Sequence, residues 1–188
     1  MLKQIIFAHS GGSQTLPGQG SYDFVEWLKQ SLEAEYDICH PIIEDPEAPA
    51  YSMWKAVFNQ EFANPEGEVI LIGHSLGGSI LLKYLSEEKT SLRIKGLFLV
   101  SIPFWGQDQW NVDDFSLIPD FQSHLPELPV IHLYHCLDDP VVPFEHMELY
   151  QNKIPGAVIH ELNGNNHAFS NGLPIIIEHI KRLEHPVT

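Results

Sequence analysis

Three kinds of side chain that together can activate a nucleophile occur in one order along this sequence: Ser75, the adjacent Asp138 and Asp139, and His167. A serine hydroxyl attacks a carbonyl only when a base takes its proton. An imidazole is that base near neutral pH, and a carboxylate fixes the imidazole's tautomer. The serine has the most telling surroundings. It lies in Gly73-His74-Ser75-Leu76-Gly77, directly after the apolar run Val69 to Ile72 and before Ile80, Leu81, Tyr84 and Leu85 at helical spacing. Strand, sharp turn and helix in that order form a nucleophile elbow, with the serine at its strained apex. Glycine at 73 and 77 lets strand and helix pass without a Cβ clash. The helix behind the turn directs backbone N–H groups, and the positive end of its dipole, at an oxyanion formed there.

An elbow needs an acid and then a histidine downstream. Cys136-Leu-Asp-Asp-Pro-Val-Val-Pro143 follows an apolar run ending at Tyr134. An acid at the C-terminal end of a strand shares the sheet edge with Ser75, where open α/β sheets bind ligands. Asp138 and Asp139 both qualify, and an Asp-Pro turn alone would also place them there. His167 stands in Asn163-Gly-Asn-Asn-His-Ala-Phe169, after a last apolar run at 157–162. Of the other histidines, His74 is read as packing beside the elbow, and His9 as structural or pocket-lining. His132 and His135, three apart on a strand and its end, point to opposite faces and do not converge on a metal. No metal and no cofactor are expected.

These residues require a frame of alternating strands and helices. Strands are expected at 4–8, 36–43, 69–72, 95–101, 128–134 and 157–162. Helical stripes follow at Phe24, Val25, Leu28 and Leu32, with Ser21 as N-cap, and at Trp54, Val57, Phe58 and Phe62, with Pro49 near the start. Further helices are expected at 145–151 and 175–183. The pattern predicts a three-layer α/β/α sandwich with a mostly parallel sheet of about six strands, forming a single domain over 1–188. The segment 102–129 has no clear period and holds Phe104, Trp105, Trp110, Phe115 and Phe121. It is expected to form a small lid or pocket wall beside Ser75, or a surface connection.

The chain has 188 residues, 44% of them apolar, and a net charge of −15 from 10 basic and 25 acidic side chains. That field disfavours nucleic acid and anionic membrane as partners. No signal peptide or membrane span is expected, so the cytoplasm is the expected compartment, with Cys39 and Cys136 as separate buried thiols.

The chain resembles the α/β-hydrolases, and within them the small serine hydrolases related to retinoblastoma-binding protein nine. The resemblance rests on Asp45-Pro46 with Trp54, Val69-Ile-Leu-Ile-Gly-His-Ser-Leu-Gly-Gly78, Leu99-Val-Ser101, Asp138-Asp-Pro140 with Pro143, and His167-Ala-Phe169. It implies a compact fold without a large cap and a Ser75–Asp139–His167 triad, since the family's acid commonly precedes such a proline by four places. It also implies hydrolysis of a small carboxylic ester through an acyl-enzyme. The oxyanion donors would be the backbone N–H groups of Leu76 and Gly11, with Ser10 as the alternative to Gly11. The loop after the first strand reads His9-Ser10-Gly11-Gly12 where many relatives carry His-Gly. His9, Ser10, His74 and Trp105 are the expected substrate-binding residues. The Leu-x-Cys-x-Glu motif that binds retinoblastoma-type proteins is absent, the stretch reading Glu61-Phe-Ala-Asn-Pro-Glu66, so no such partner is inferred. Other readings are a thioesterase or aminopeptidase-like acyl hydrolase, a perhydrolase or lyase, and a binding or regulatory protein with weak activity on a hydrolase fold.

Overall fold

The computed structural model describes residues 2–63, 67–164 and 166–183. Asn64 to Glu66, in the stretch that would hold the retinoblastoma-type motif, and Asn165, in the histidine loop, lie outside the described residues. Six strands, β1 (Lys3–Ala8), β2 (Tyr36–Cys39), β3 (Glu68–His74), β4 (Arg93–Val100), β5 (Ile131–Cys136) and β6 (Val158–Leu162), make one sheet. Their order is β2-β1-β3-β4-β5-β6, and every neighbouring pair is parallel. The helices are α1 (Tyr22–Leu32), α2 (Tyr51–Glu61), α3 (Leu76–Glu87), α4 (Glu145–Lys153) and α5 (Pro174–Arg182).

Strand side chains alternate between two faces, and here both faces are covered. Ile5, Phe7, Ile70, Ile72, Phe98, Val100 and Tyr134 pack with Phe24, Val25 and Leu28 of α1 and Ile176 and Ile180 of α5. Ile6, Ala8, Leu71, Leu97, Leu99 and Leu133 pack on the other side with Trp54 and Phe58 of α2, Ile80 and Leu81 of α3, and Met147 and Tyr150 of α4. The result is the expected α/β/α sandwich.

The chain runs outward from β1 to β2, then returns to place β3 on the opposite flank of β1. That reversal is the switch point of an open α/β sheet. The loop after β1 and the loop after β3 diverge there and leave a crevice at the C-terminal rim.

Several boundaries differ from the sequence expectation for identifiable reasons. β2 stops at Cys39 rather than residue 43, because Pro41 has no N–H for the ladder. The Ile43 amide instead donates to Gln14 Oε1 at 3.0 Å, tying that segment to the loop after β1. β5 begins at Ile131 rather than 128, just beyond Pro129, which likewise has no N–H. The start of α2 is Tyr51, whose amide donates to Asp114 Oδ2 at 2.7 Å; Pro49 lies outside the helix. Ser21 does flank α1 but makes no side-chain cap, because its hydroxyl is engaged elsewhere. Cys39 and Cys136 are both unpaired, although Cys39 is only half-buried. None of the described helices is long and apolar enough to cross a membrane.

Candidate active site

Ser75 occupies the turn between β3 and α3 with φ 50° and ψ −126°, a left-handed backbone that L-residues rarely adopt. Its amide donates to Val100 O on β4 at 2.8 Å, which holds the turn to the neighbouring strand. The turn closes only because its glycines lack side chains. A Cβ on Gly73 would strike the Gly78 backbone, and one on Gly77 would strike the carbonyl of His9. Two more non-glycine residues near the rim share the left-handed conformation, Ser101 at the end of β4 (φ 48°) and Phe169 just past His167 (φ 51°). Strained backbone of this kind persists where the surrounding fold over-determines it.

Ser75, His167 and Asp139 meet at this rim, across sequence separations of 92 and 28 residues. His167 Nε2 lies 3.0 Å from Ser75 Oγ. On the opposite side of the ring, Nδ1 lies 2.9 Å and 3.0 Å from the two Asp139 oxygens. With the Nδ1–H donating to Asp139, Nε2 has the lone pair that can accept the serine proton. Asp139 Oδ1 also accepts the amides of Val141 and Val142 at 2.9 and 3.0 Å. Burial pushes the Asp139 carboxyl up, but the hydrogen bond and charge of His167, with the two amides, outweigh it and bring it down to about 2. It is therefore ionised throughout the neutral range. Asp138 is exposed and has no part in the cluster.

A second network lies beneath the first. His74 is buried, and its Nε2 donates to the His167 carbonyl at 2.7 Å. Its Nδ1 lies 2.8 Å from Ser21 Oγ. Since the neutral ring donates from Nε2, Nδ1 accepts the Ser21 hydroxyl proton, and Ser21 Oγ accepts the Ser10 amide at 2.8 Å and lies 2.9 Å from Ser10 Oγ. The loop after β1 and the loop carrying His167 are thus joined through one imidazole and two hydroxyls. Burial holds the His74 imidazole neutral, lowered to about 3, consistent with a fixed pattern of donors and acceptors.

The cavity over Ser75 has a volume of about 390 Å³. Ser10, Gly11, His74, Leu76 and His167 line it together with Pro103, Trp105 and Trp110 of the 102–129 segment. Of the four residues expected to bind substrate, Ser10, His74 and Trp105 reach the cavity. His9 does not, which corrects the sequence expectation. It is fully buried against Phe7 and faces His40, with Nε2 to Nδ1 at 3.3 Å. Burial first, then the charge of His40, lowers it to about 4.

Trp110 was not singled out as a site residue in the sequence, having no periodic neighbours to place it. It packs edge-on to Trp105 at 5.3 Å and also walls an adjoining cavity of about 430 Å³ bounded by Glu145, His146 and Leu149. Three short 3₁₀ turns, at 108–110, 113–115 and 121–123, shape the segment. Trp105 Nε1 donates to Ser79 Oγ at 2.8 Å, and Lys83 Nζ donates to the Ser116 carbonyl at 2.7 Å, so α3 grips the segment at two points.

An all-parallel sheet in this order, with a serine elbow after β3 and a histidine loop after β6, defines an α/β-hydrolase. Comparison with known proteins makes the assignment finer. The serine hydrolase family matches residues 4–171, and the chain belongs to that family. No curated protein sequence matches it significantly. Among solved structures, the ydeN gene product from B. subtilis is similar over 97% of this chain and 98% of its own, with 21% identity and a TM-score of 0.78. Est1E from Butyrivibrio proteoclasticus covers 97% of this chain and 87% of its own at 14% identity and TM-score 0.67. Mouse alpha/beta hydrolase domain-containing protein 10 covers 98% and 90% at 15% identity and TM-score 0.63. At these identities the likeness is one of fold.

Proposed function

We propose that this serine hydrolase cleaves a small carboxylic ester through an acyl-enzyme on Ser75, with Asp139 and His167 completing a catalytic triad. The observation that carries the reading is the pair of contacts on one imidazole, Nε2 to Ser75 Oγ at 3.0 Å and Nδ1 to Asp139 at 2.9 Å. His167 takes the serine proton as Oγ attacks the acyl carbonyl, and Asp139 stabilises the imidazolium that results. The same proton then passes to the leaving alcohol. Water, deprotonated by His167, releases the acid and restores the serine.

The oxyanion is assigned to the backbone N–H groups of Leu76 and Gly11. Hydrogen bonding within the loop favours Gly11 over Ser10. The Ser10 amide donates to Ser21 Oγ and the Gly12 amide to Pro46 O, which leaves Gly11 as the amide of this turn with no acceptor among the described residues. Gly11 also faces Leu76, where a Cβ would lie 3.5 Å from Leu76 Cδ2. The cavity, about 390 Å³ and lined in part by tryptophan, suits a small, partly apolar acyl group. Two unpaired cysteines fit the proposed cytoplasmic placement.

The test is reaction with a fluorophosphonate probe followed by peptide mapping, alongside a p-nitrophenyl ester series of rising acyl length. Stoichiometric label on Ser75, with ester turnover that disappears in Ser75→Ala, is the expected result. Folded protein that takes no label and turns over no ester points instead to a binding protein on this fold. Faster turnover of a matched thioester or amide would move the substrate class while keeping the triad.

A further inference from the structure

Away from the rim, the sheet face under α5 carries three imidazoles to which the reaction gives no role. They are His132 on β5, His160 on the edge strand β6, and His179 on α5. One ring nitrogen of each lies within 4.8 Å of those of the other two. His132 Nδ1 faces His160 Nε2 at 2.8 Å, and His179 Nδ1 lies 2.7 Å from the Tyr134 hydroxyl. The ring centroids of the three are 4.5 to 5.0 Å apart.

We propose that His132, His160 and His179 form a binding site for one divalent transition-metal ion of the zinc type, tying the edge strand and the last helix to β5. The donor set decides the class of ion. Three imidazole nitrogens without a carboxylate suit zinc and its imidazole-binding neighbours, cobalt, nickel and copper, rather than the oxygen-seeking calcium or magnesium.

Two nitrogens facing each other at 2.8 Å are compatible only with a proton between them. A metal ion takes that proton's place with both lone pairs turned toward it. The displaced proton moves to the other nitrogen of the same ring by a tautomer shift, so no proton is released, and the complex keeps the ion's double positive charge. Tetrahedral coordination at ~2.0–2.1 Å per nitrogen sets them about 3.3 Å apart, so the pair has to open by roughly half an ångström. His160 sits at the sheet edge and is only half-buried, so that adjustment and the entry of an ion are both open to it.

The phenol of Tyr134 supplies the outer support. Accepting a hydrogen bond from His179 Nδ1–H, it leaves the lone pair on Nε2, as the second partner of a metal-bound histidine ordinarily does. Burial keeps all three rings neutral at pH 7, which is the ligand form. Packing alone does not call for this composition. Phe98 and Tyr134 already stack on the cluster, and an apolar residue in place of each histidine would fill the same space with no ring nitrogens to partner.

The site is tested on the full chain produced without a polyhistidine tag, stripped with chelator and titrated with cobalt(II) chloride. The readouts are the visible ligand-field bands and, in competition, displacement by zinc. One cobalt per chain is expected, with the absorption intensity of four-coordination. His160→Ala and His179→Ala are each expected to weaken binding by more than the ~10–100-fold that loss of an outer partner costs. Zinc should raise the melting temperature of the wild type and not of His160→Ala. Failure of the wild type to take up one equivalent overturns the proposal, whatever the variants do. So does uptake by folded His160→Ala equal to that of the wild type, because the ion would then sit on some of the chain's other histidines.

Discussion

Among the residues that line the cavity, Ser75 is held almost wholly by backbone: the Ser75 amide on Val100 O, the register of β3 between β1 and β4, and glycines that let α3 start against the strand. Trp105 and Trp110 of the 102–129 segment are instead held by side chains, through the bond to Ser79 Oγ, the Lys83 grip on Ser116 O, and aromatic edges on Phe115 and His146. The first arrangement leaves little room for substitution, because the backbone path itself is at stake. The second can be rebuilt with other side chains on the same path. If the proposed function holds, the position of the reacting atoms and the shape of the acyl group admitted are set by separate parts of the structure. Variants in the two parts should therefore fail in different kinetic parameters.

The largest effect is expected from His167→Ala, which should lower kcat by as much as ~10⁶, by analogy with triad knock-outs in serine proteases. Asp139→Asn should lower it by ~10⁴, because the amide stabilises the wrong tautomer of His167. Both are read from steady-state ester hydrolysis with the far-ultraviolet circular dichroism unchanged.

Ser21→Ala probes the lower network. It removes the acceptor of the Ser10 amide and the partner of His74 Nδ1, leaving buried polar groups unpaired. A fall in kcat of about tenfold with little change in KM, and a stability loss of ~1–3 kcal/mol by urea denaturation, are expected. A Ser21→Ala variant with wild-type kcat would detach the loop after β1 from the reacting side.

Trp105→Ala probes the part of the lining supplied by the 102–129 segment. It should raise KM roughly five- to tenfold for apolar acyl chains while holding kcat within about threefold. Should Trp105→Ala reduce kcat as severely as Asp139→Asn, the separation of the two parts is wrong.

The smallest effect is one of pH. Burial lowers His74 from 6.5 to about 3. Above pH 6.5 neither folded nor unfolded chain binds that proton, and the contribution to stability is complete. As pH falls below 6.5 the unfolded chain takes the proton and the folded chain does not, so stability drops until the folded group titrates near 3. Replacing His74 with glutamine should remove about one proton from the slope of unfolding free energy against pH between 6 and 4. An unchanged slope, measured by urea midpoints across that range, would mean that His74 is not held neutral in the fold.

Much of the fold was legible because parallel strands buried on both faces read as continuous apolar runs, as in Val69 to Ile72 and Leu97 to Val100. The elbow was legible for the same reason that it is rigid: only glycine fits at 73 and 77. Where the reading missed, the deciding interaction was non-local. Pro41 ended β2 early, and the Ser21 hydroxyl, expected to cap α1, turned out to bridge Ser10 and His74. His9 looked like a site residue from its neighbours in sequence but points into the layer with Phe7. The grouping of His132 with His160 and His179 depends on the β5–β6 register, which sets Tyr134 opposite His160, and on the face that α5 presents. Comparing His132 with His135 alone could not reveal it.

The positive φ of Ser75 has one more implication. Conformations of this kind cost of order 1–3 kcal/mol, and here the strain falls on the very residue proposed as the nucleophile. A glycine at that point would let the chain lie at ease and would leave it chemically inert. A design for thermal robustness alone would choose the inert version, so a Ser75→Gly variant that melts higher while losing ester turnover is the outcome expected if the strain serves the chemistry.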